Sequence, residues 1–177
     1  MRKMLTWKPT RLDGHLIDTS LTTGETAELR RLAAGKRVLE IGSGYGYSAI
    51  AMAQVAECVT AIDPHAGELP DSLTVMLDNL VLYDVADKVA IVREYSQTAL
   101  PEMLKRGCRF DFVFIDGNHG EQVENDVNLS RRLLEPGGYY AVHDYYEEDF
   151  PEIARVLNAL GEKHVKVVDT LWVSRPA

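Results

Sequence analysis

Cysteine is scarce in this chain. Cys58 and Cys108 lie far apart, in apolar surroundings, and form neither a Cys-x-x-Cys pair nor a metal-ligand spacing. A disulfide scaffold and a cysteine zinc site are therefore not expected, and both residues read as reduced, buried thiols. Long apolar runs are also missing: no stretch approaches the ~20 residues of a membrane span. The basic start, Met1-Arg2-Lys3, is not followed by an apolar segment, so no signal peptide is visible and a cytoplasmic location is expected. Positive charge is in deficit, with 19 Lys and Arg against 27 Asp and Glu and a net charge of -8. That balance argues against a nucleic-acid backbone or an anionic membrane as the main partner. Internal repeats, low-complexity tracts and linkers are absent.

What is present is a chain of 177 residues, 46% hydrophobic and 26% charged. It fits one domain, 1–177, with a sizeable core. Short β-rich runs alternate with helix-like stretches. Thr22-Thr23-Gly24-Glu25 has the capping-box pattern, and Gly35 ends the helix it opens. "RVLEIG", "CVTAID", "KVAIVR", "FDFVFID" and "YYAVHD" read as five strands. "YSAIAMAQVAE", "PDSLTVMLDNLVLYDV", "SQTALPEMLKRG", "EQVENDVNLSRRLLEPGG" and "FPEIARVLNALG" read as helices, the fourth ending before Pro136-Gly137-Gly138. The strands are continuously apolar, the mark of a sheet covered on both faces. The pattern predicts an α/β fold with a parallel sheet and right-handed crossovers. Val165–Val168 and Leu171–Ser174 have too little chain between them for a crossover and should pair antiparallel at one edge.

In such a sheet, ligands bind beyond the carboxyl ends of the strands. The first strand ends in "VLEIGSGYGYS". Gly42, Gly44 and Gly46 allow a sharp turn and a close backbone approach, and the next helix points its N-terminus at whatever binds there. The spacing is Gly-x-Gly-x-Gly. It is neither the dinucleotide fingerprint nor a P-loop, which disfavours a dehydrogenase. Glu40 adds a carboxylate to this crevice. Asp63 ends the second strand, where an acidic side chain accepts hydrogen bonds from ribose hydroxyls.

With these residues in place the sequence resembles the class I S-adenosylmethionine (SAM)-dependent methyltransferases. "VLEIGSGYGYS", "AID", "VREYSQTAL", "FDFVFIDGNHG" and "LLEPGGYYAVHDY" occur in family order over nearly the whole chain. The likeness is greatest to small O-methyltransferases of the catechol, caffeoyl-CoA and antibiotic-sugar type. It implies a Rossmann-like three-layer sandwich whose seven-stranded, mostly parallel sheet has the order 3-2-1-4-5-7-6, with the last strand antiparallel. It also implies cofactor roles. Glu40, Gly42, Ser43, Gly44 and Gly46 would surround the methionine part of SAM, and Ser48 would bind its carboxylate. Asp63 would hold the ribose, with Ser96 and Tyr95 beside the adenine and Asp116 close by. Thr22 or Thr23 would lie near the carboxylate end. Helix capping is the alternative for Ser48 and Thr22.

Methyl transfer to oxygen needs the acceptor aligned and its proton removed, by a base or with help from a Lewis acid. Asp116 ends the fourth strand, and His143 and Asp144 end the fifth. Two carboxylates and a third ligand suit a divalent cation, with Mg²⁺ the leading candidate. His143 stands where the resembled families more often place Glu or Asp, and imidazole favours zinc, iron or nickel. His119, in the Asp116-x-x-His119 arrangement, is the candidate general base, with Asp116 as the other catalytic residue. A loop or capping histidine is the alternative for His119, and a substrate contact for His143. His15, His65 and His164 are expected to face solvent, His65 beside the adenosine pocket. Tyr145 and Tyr146 are candidate walls of the acceptor pocket, and Glu147, Glu148 and Asp149 a solvated loop. Residues 1–21, with Trp7, would form a lid or a homodimer contact. The expected partner is a small-molecule hydroxyl acceptor. Two other readings stay open: a metal-independent SAM enzyme acting on nitrogen or another acceptor, and a non-catalytic SAM-binding module.

Overall fold

The computed structural model describes residues 8–66, 70–117, 120, 122–146, 148, 150–161 and 163–176. The first described elements form an antiparallel ribbon, β1 (Lys8–Leu12) and β2 (His15–Thr19). Asp13 and Gly14 join them with φ of 45° and 103°, the positive values that a tight two-residue hairpin turn requires. Leu12 and Ile17 bury themselves in the core, while Asp13 bonds Arg30 and Gln54.

The expected alternation follows: α1 (Thr23–Ala33), β3 (Arg37–Ile41), α2 (Tyr47–Ala53), β4 (Cys58–Ile62), α3 (Ser72–Leu82), β5 (Val89–Val92), α4 (Ser96–Lys105), β6 (Phe110–Ile115), α5 (Gln122–Arg131), β7 (Leu134–Val142), α6 (Pro151–Ala159), β8 (Lys166–Val168) and β9 (Leu171–Ser174). The main sheet has seven strands in the order β5-β4-β3-β6-β7-β9-β8. Strands β3 to β7 pair in parallel, and β9 runs antiparallel to both β7 and β8. Counting within this sheet, the order is 3-2-1-4-5-7-6, as the family resemblance implies. The ribbon's turn bonds the carboxyl-terminal ends of α1 and α2. The turn therefore lies on the side away from the carboxyl ends of the sheet strands. Trp7 lies outside the described residues.

Side-chain alternation divides the core into two layers. Val38, Phe112, Phe114 and Ala141 join Leu29, Ile50 and Met76 on the face covered by α1, α2 and α3. Leu39, Ile41, Val113, Ile115 and Val142 join Leu100, Val127 and Ile153 on the face covered by α4, α5 and α6. Each large side chain fully buried here contributes roughly 1.5–3 kcal/mol, which explains why the strands read as continuous apolar runs.

One boundary differs from expectation. Pro136-Gly137-Gly138 does not separate a helix from a strand; β7 already begins at Leu134 and runs through it. Leu134 pairs with Phe110, and the register then shifts before Tyr139 meets Phe112. The Pro-Gly-Gly segment is thus an irregularity within the strand. Gly137 has φ of 78°, and a Cβ on Gly138 would lie 2.9 Å from the Asp111 carbonyl oxygen.

Candidate active site at the strand carboxyl ends

Parallel pairing continues one residue past the end of each central strand. Asp63 donates its N–H to Val92, Gly42 to Ile62, Asp116 to Ile41 and His143 to Ile115, at 2.8–3.2 Å. Each is the first residue after its strand, so the ladder aligns all four in one row. Alternation then sends the side chains of Glu40, Asp63, Asp116 and His143 to the face covered by α1 and α2. An acid-rich crevice results from strand register alone.

The glycine loop closes one end of the crevice. Gly42 has φ of 89°, and a Cβ there would lie 2.2 Å from the Asp116 carbonyl oxygen. Only glycine lets the end of β3 pack so closely on the end of β6. Gly44 donates its N–H to Asp63 Oδ2 at 2.9 Å, and His65 donates its N–H to Oδ1 at 2.7 Å. Both bonds orient the Asp63 carboxylate and leave each oxygen a further lone pair. Ser43 is buried with its hydroxyl against Met76 Sδ, 3.5 Å away.

Glu40 is fully buried. One carboxyl oxygen accepts the Ser48 hydroxyl, and Oε2 has no hydrogen-bond partner among the described residues. Burial pushes its pKa up to about 8, with further push from the Asp116 and Asp63 charges. Without a ligand it therefore carries a proton at neutral pH. Ser48 stands at the start of α2 as expected, but its hydroxyl is committed to Glu40. Tyr95 caps α4 and is half exposed; Ser96 is buried and bonds Asp126 on α5.

At the other end of the row, His143 is 2% exposed and meets carboxylates through both ring nitrogens. Nε2 lies 3.3 Å from Glu25 Oε2; Nδ1 lies 3.2 Å from Asp116 Oδ1 and 3.1 Å from Asp144 Oδ1. Neither of the last two oxygens is in line for a hydrogen bond from Nδ1. Burial opposes charge on this ring, but Asp116, Asp144 and Glu25 outweigh it and raise the pKa well above the usual histidine value. An uncharged Nδ1 lone pair cannot sit stably between two carboxylates. The gap needs a proton on Nδ1 or a metal cation. One donor atom from each of Asp116, His143 and Asp144 lies within 4.8 Å of the others. For metal–ligand bonds of about 2.1 Å, adjacent ligands of a six-coordinate ion stand about 3 Å apart. The observed 3.1 and 3.2 Å fit that spacing.

Residues 39–145 match the family model described as "Methyltransferase domain". The chain belongs to this methyltransferase family. The match runs from β3 to the end of the Asp116–His143–Asp144 corner, so it contains the whole row of strand-end residues. Among solved structures the methyltransferase is similar to the O-methyltransferase from Bacillus cereus in complex with SAH. That likeness has 17% identity and a TM-score of 0.74, over 88% of this chain and 82% of that one. Cofactor-bound Rv0187 from MTB shares 25% identity, with a TM-score of 0.73 over 88% and 80%. TomG from Streptomyces achromogenes, an O-methyltransferase involved in tomaymycin synthesis and seen in complex with SAM, shares 20%, with a TM-score of 0.69 over 89% and 82%. No curated protein sequence gives a significant match.

The methyltransferase fold thus brings together Glu40, Gly42, Ser43, Gly44, Gly46, Ser48 and Asp63 around one crevice and Asp116, His143 and Asp144 at its other end. His119, the candidate base, lies outside the described residues, as do Glu147 and Asp149. His65 departs from expectation. Its side chain is fully buried, with Nδ1 3.0 Å from Ser72 Oγ, and burial holds its pKa down. Tyr145 is also buried: its hydroxyl donates to Asn158 and its ring lies near Trp172, so it supports the corner, while Tyr146 is exposed. Thr22 caps α1 and donates its hydroxyl to Asp169 at 2.6 Å. Glu25 is the residue that sequence reasoning reduced to a cap. Burial pushes its carboxyl up, but the hydrogen bond and charge of His143, with bonds from Thr22 and Thr170, hold its pKa at about 2. The capping-box pattern located Glu25; nothing local in the sequence shows its contact with a residue 118 positions away. Among the described residues, no helix is long and apolar enough to cross a membrane.

Proposed function

We propose that this methyltransferase transfers a methyl group from SAM to a hydroxyl of a small molecule, with a divalent metal at Asp116, His143 and Asp144 and His119 as general base. The observation that carries the reading is the single row in which the glycine-loop crevice and the Asp116–His143–Asp144 corner adjoin.

SAM supplies an electrophilic methyl group on a sulfonium cation. The chain's groups suit such a ligand. Asp63, held by two backbone N–H groups, has lone pairs left for a ribose diol. Glu40 offers a buried oxygen without a partner among the described residues, and its carboxylate form would be favoured by a nearby cation. The structural relatives whose names include SAM or SAH support the same choice.

Bound metal would act as a Lewis acid on the acceptor oxygen. Asp116 and Asp144 suit Mg²⁺, and the His143 imidazole shifts the preference toward manganese, iron, nickel or zinc. His119, three residues beyond Asp116, would remove the acceptor's proton. Acceptors with two adjacent hydroxyls match a metal corner that offers three ligands and leaves positions open. The test is methyl transfer from labelled SAM to a panel of vicinal diols, with and without EDTA. Transfer that EDTA abolishes and added metal restores supports the reading; transfer indifferent to EDTA removes the metal.

A second reading has its own observation. Protonated His143 between Glu25, Asp116 and Asp144 neutralises part of the charge without an ion. A metal-independent enzyme acting on an amine or another acceptor would use the corner in that state. Elemental analysis of the protein, purified without chelator, separates the two.

A further inference from the structure

Glu25 is 1% exposed, and its two oxygens meet four donors. Oε1 accepts the Thr170 N–H at 2.9 Å and the Thr170 hydroxyl at 2.8 Å; Oε2 accepts the Thr22 N–H at 2.9 Å and lies 3.3 Å from His143 Nε2. A capping box uses only the bond to the Thr22 N–H. The other three contacts tie the start of α1 to the turn between β8 and β9 and to the end of β7.

We propose that Glu25 is a positioning residue: it takes the Nε2–H of His143 and so turns Nδ1 toward the gap between Asp116 and Asp144. The proposal rests on the reading of that corner as a metal-assisted acceptor site. Its geometry is over-determined. The His143 backbone is fixed by its N–H bond to Ile115, and the ring is buried. Glu25 cannot follow a moving ring, because Thr22 and Thr170 hold both of its oxygens. A carboxylate only accepts, so Nε2–H donates to Glu25 in either charge state of the ring. Nδ1 then carries a proton between Asp116 and Asp144 when the corner holds no cation, and is the nitrogen that offers its lone pair when a cation takes that proton's place. Carboxylate–histidine pairs of this kind orient metal-binding imidazoles and raise their basicity. Here the carboxylate comes from a helix cap, so the fold at the amino end of α1 and the chemistry at the end of β7 share one side chain.

The test compares Glu25→Gln with Thr170→Ala. Thr170→Ala removes a donor to Oε1 and leaves the Oε2–His143 contact alone. Co²⁺ is the probe, titrated into metal-free protein and followed by its visible spectrum. Glu25→Gln should weaken Co²⁺ binding by about 10- to 100-fold, while Thr170→Ala lowers the melting temperature with little change in the Co²⁺ dissociation constant. Histidine-ring ¹⁵N–¹H spectra of the metal-free protein give a second readout. A slowly exchanging Nε2–H signal from His143 should be present in the wild type, and in Glu25→Gln, whose neutral amide oxygen is a weaker acceptor, it should shift and exchange faster. If Glu25→Gln does not fold, Glu25→Asp, too short to reach His143, takes its place. A variant with unchanged Co²⁺ affinity and an unchanged ring signal overturns the proposal. A wild type that shows the ring signal but takes up no Co²⁺ sinks the metal reading and leaves the positioning of the ring standing.

Discussion

Replacing Glu40 by glutamine tests the electrostatics of the crevice directly. Glu40 is fully buried and its pKa is pushed up to about 8, against an ordinary value of 4.5. Between those values the native chain keeps a proton that the unfolded chain has released. The contribution of Glu40 to the stability of the ligand-free protein must therefore fall as pH rises through this window, by about 1.4 kcal/mol per unit. The contribution is complete below pH 4.5 and lost once pH passes about 8. Glutamine copies the neutral acid in shape and does not titrate. All other groups are shared, so the stability difference between Glu40→Gln and wild type isolates Glu40. It should shift in favour of the variant by roughly 3–4 kcal/mol from pH 5 to pH 8, and then level off. Urea unfolding of ligand-free protein at four pH values between 5 and 9 measures this. The same variant should bind SAM more weakly at pH 8, where only the wild type can supply a carboxylate to the cation. A stability difference that does not change with pH refutes the buried-acid account of Glu40.

Gly42→Ala should destabilise the fold by about 2–5 kcal/mol, from left-handed backbone strain and the overlap with the Asp116 carbonyl; chemical denaturation measures it. Glu25 acts in the opposite pH direction from Glu40. Its depressed pKa contributes stability that is present above pH 4.5 and lost as pH falls toward about 2. The wild-type advantage over Glu25→Gln in acid unfolding should shrink across that range, and a constant gap would refute it. His119→Ala should lower kcat by about 100-fold or more with little change in KM when chemistry limits the rate. Unchanged turnover in steady-state assays would remove it as the base.

The sheet was legible because its strands are short apolar runs between helices, and the edge pair was legible from the brief Asp169-Thr170 connection. The amino-terminal ribbon was not read, although Asp13-Gly14 between two β-prone stretches is a hairpin signal. The start of β7 was misplaced because Pro136-Gly137-Gly138 looks like a stop; only the register shift against Phe110 shows it to be a strand irregularity. At the site, residues that end strands were legible, since the sheet sets their place. Contacts between distant segments were not. The Glu25–His143 pair joins a helix cap to the fifth parallel strand, and the buried His65 depends on how the chain turns after Asp63. Spacing carries no sign of either.

Equilibrium binding of S-adenosylhomocysteine to wild type and Asp63→Ala tests the central claim most directly. Asp63 is partly exposed, and its partners in the fold are backbone N–H groups of the same loops. Calorimetric titration should show one site per chain in the wild type and at least about tenfold weaker binding in the variant, the loss of about 1.4 kcal/mol or more expected when a bond between a charged group and the ligand is removed. No binding to the folded wild type, or equal binding to both proteins, would contradict the placement of the cofactor in this crevice.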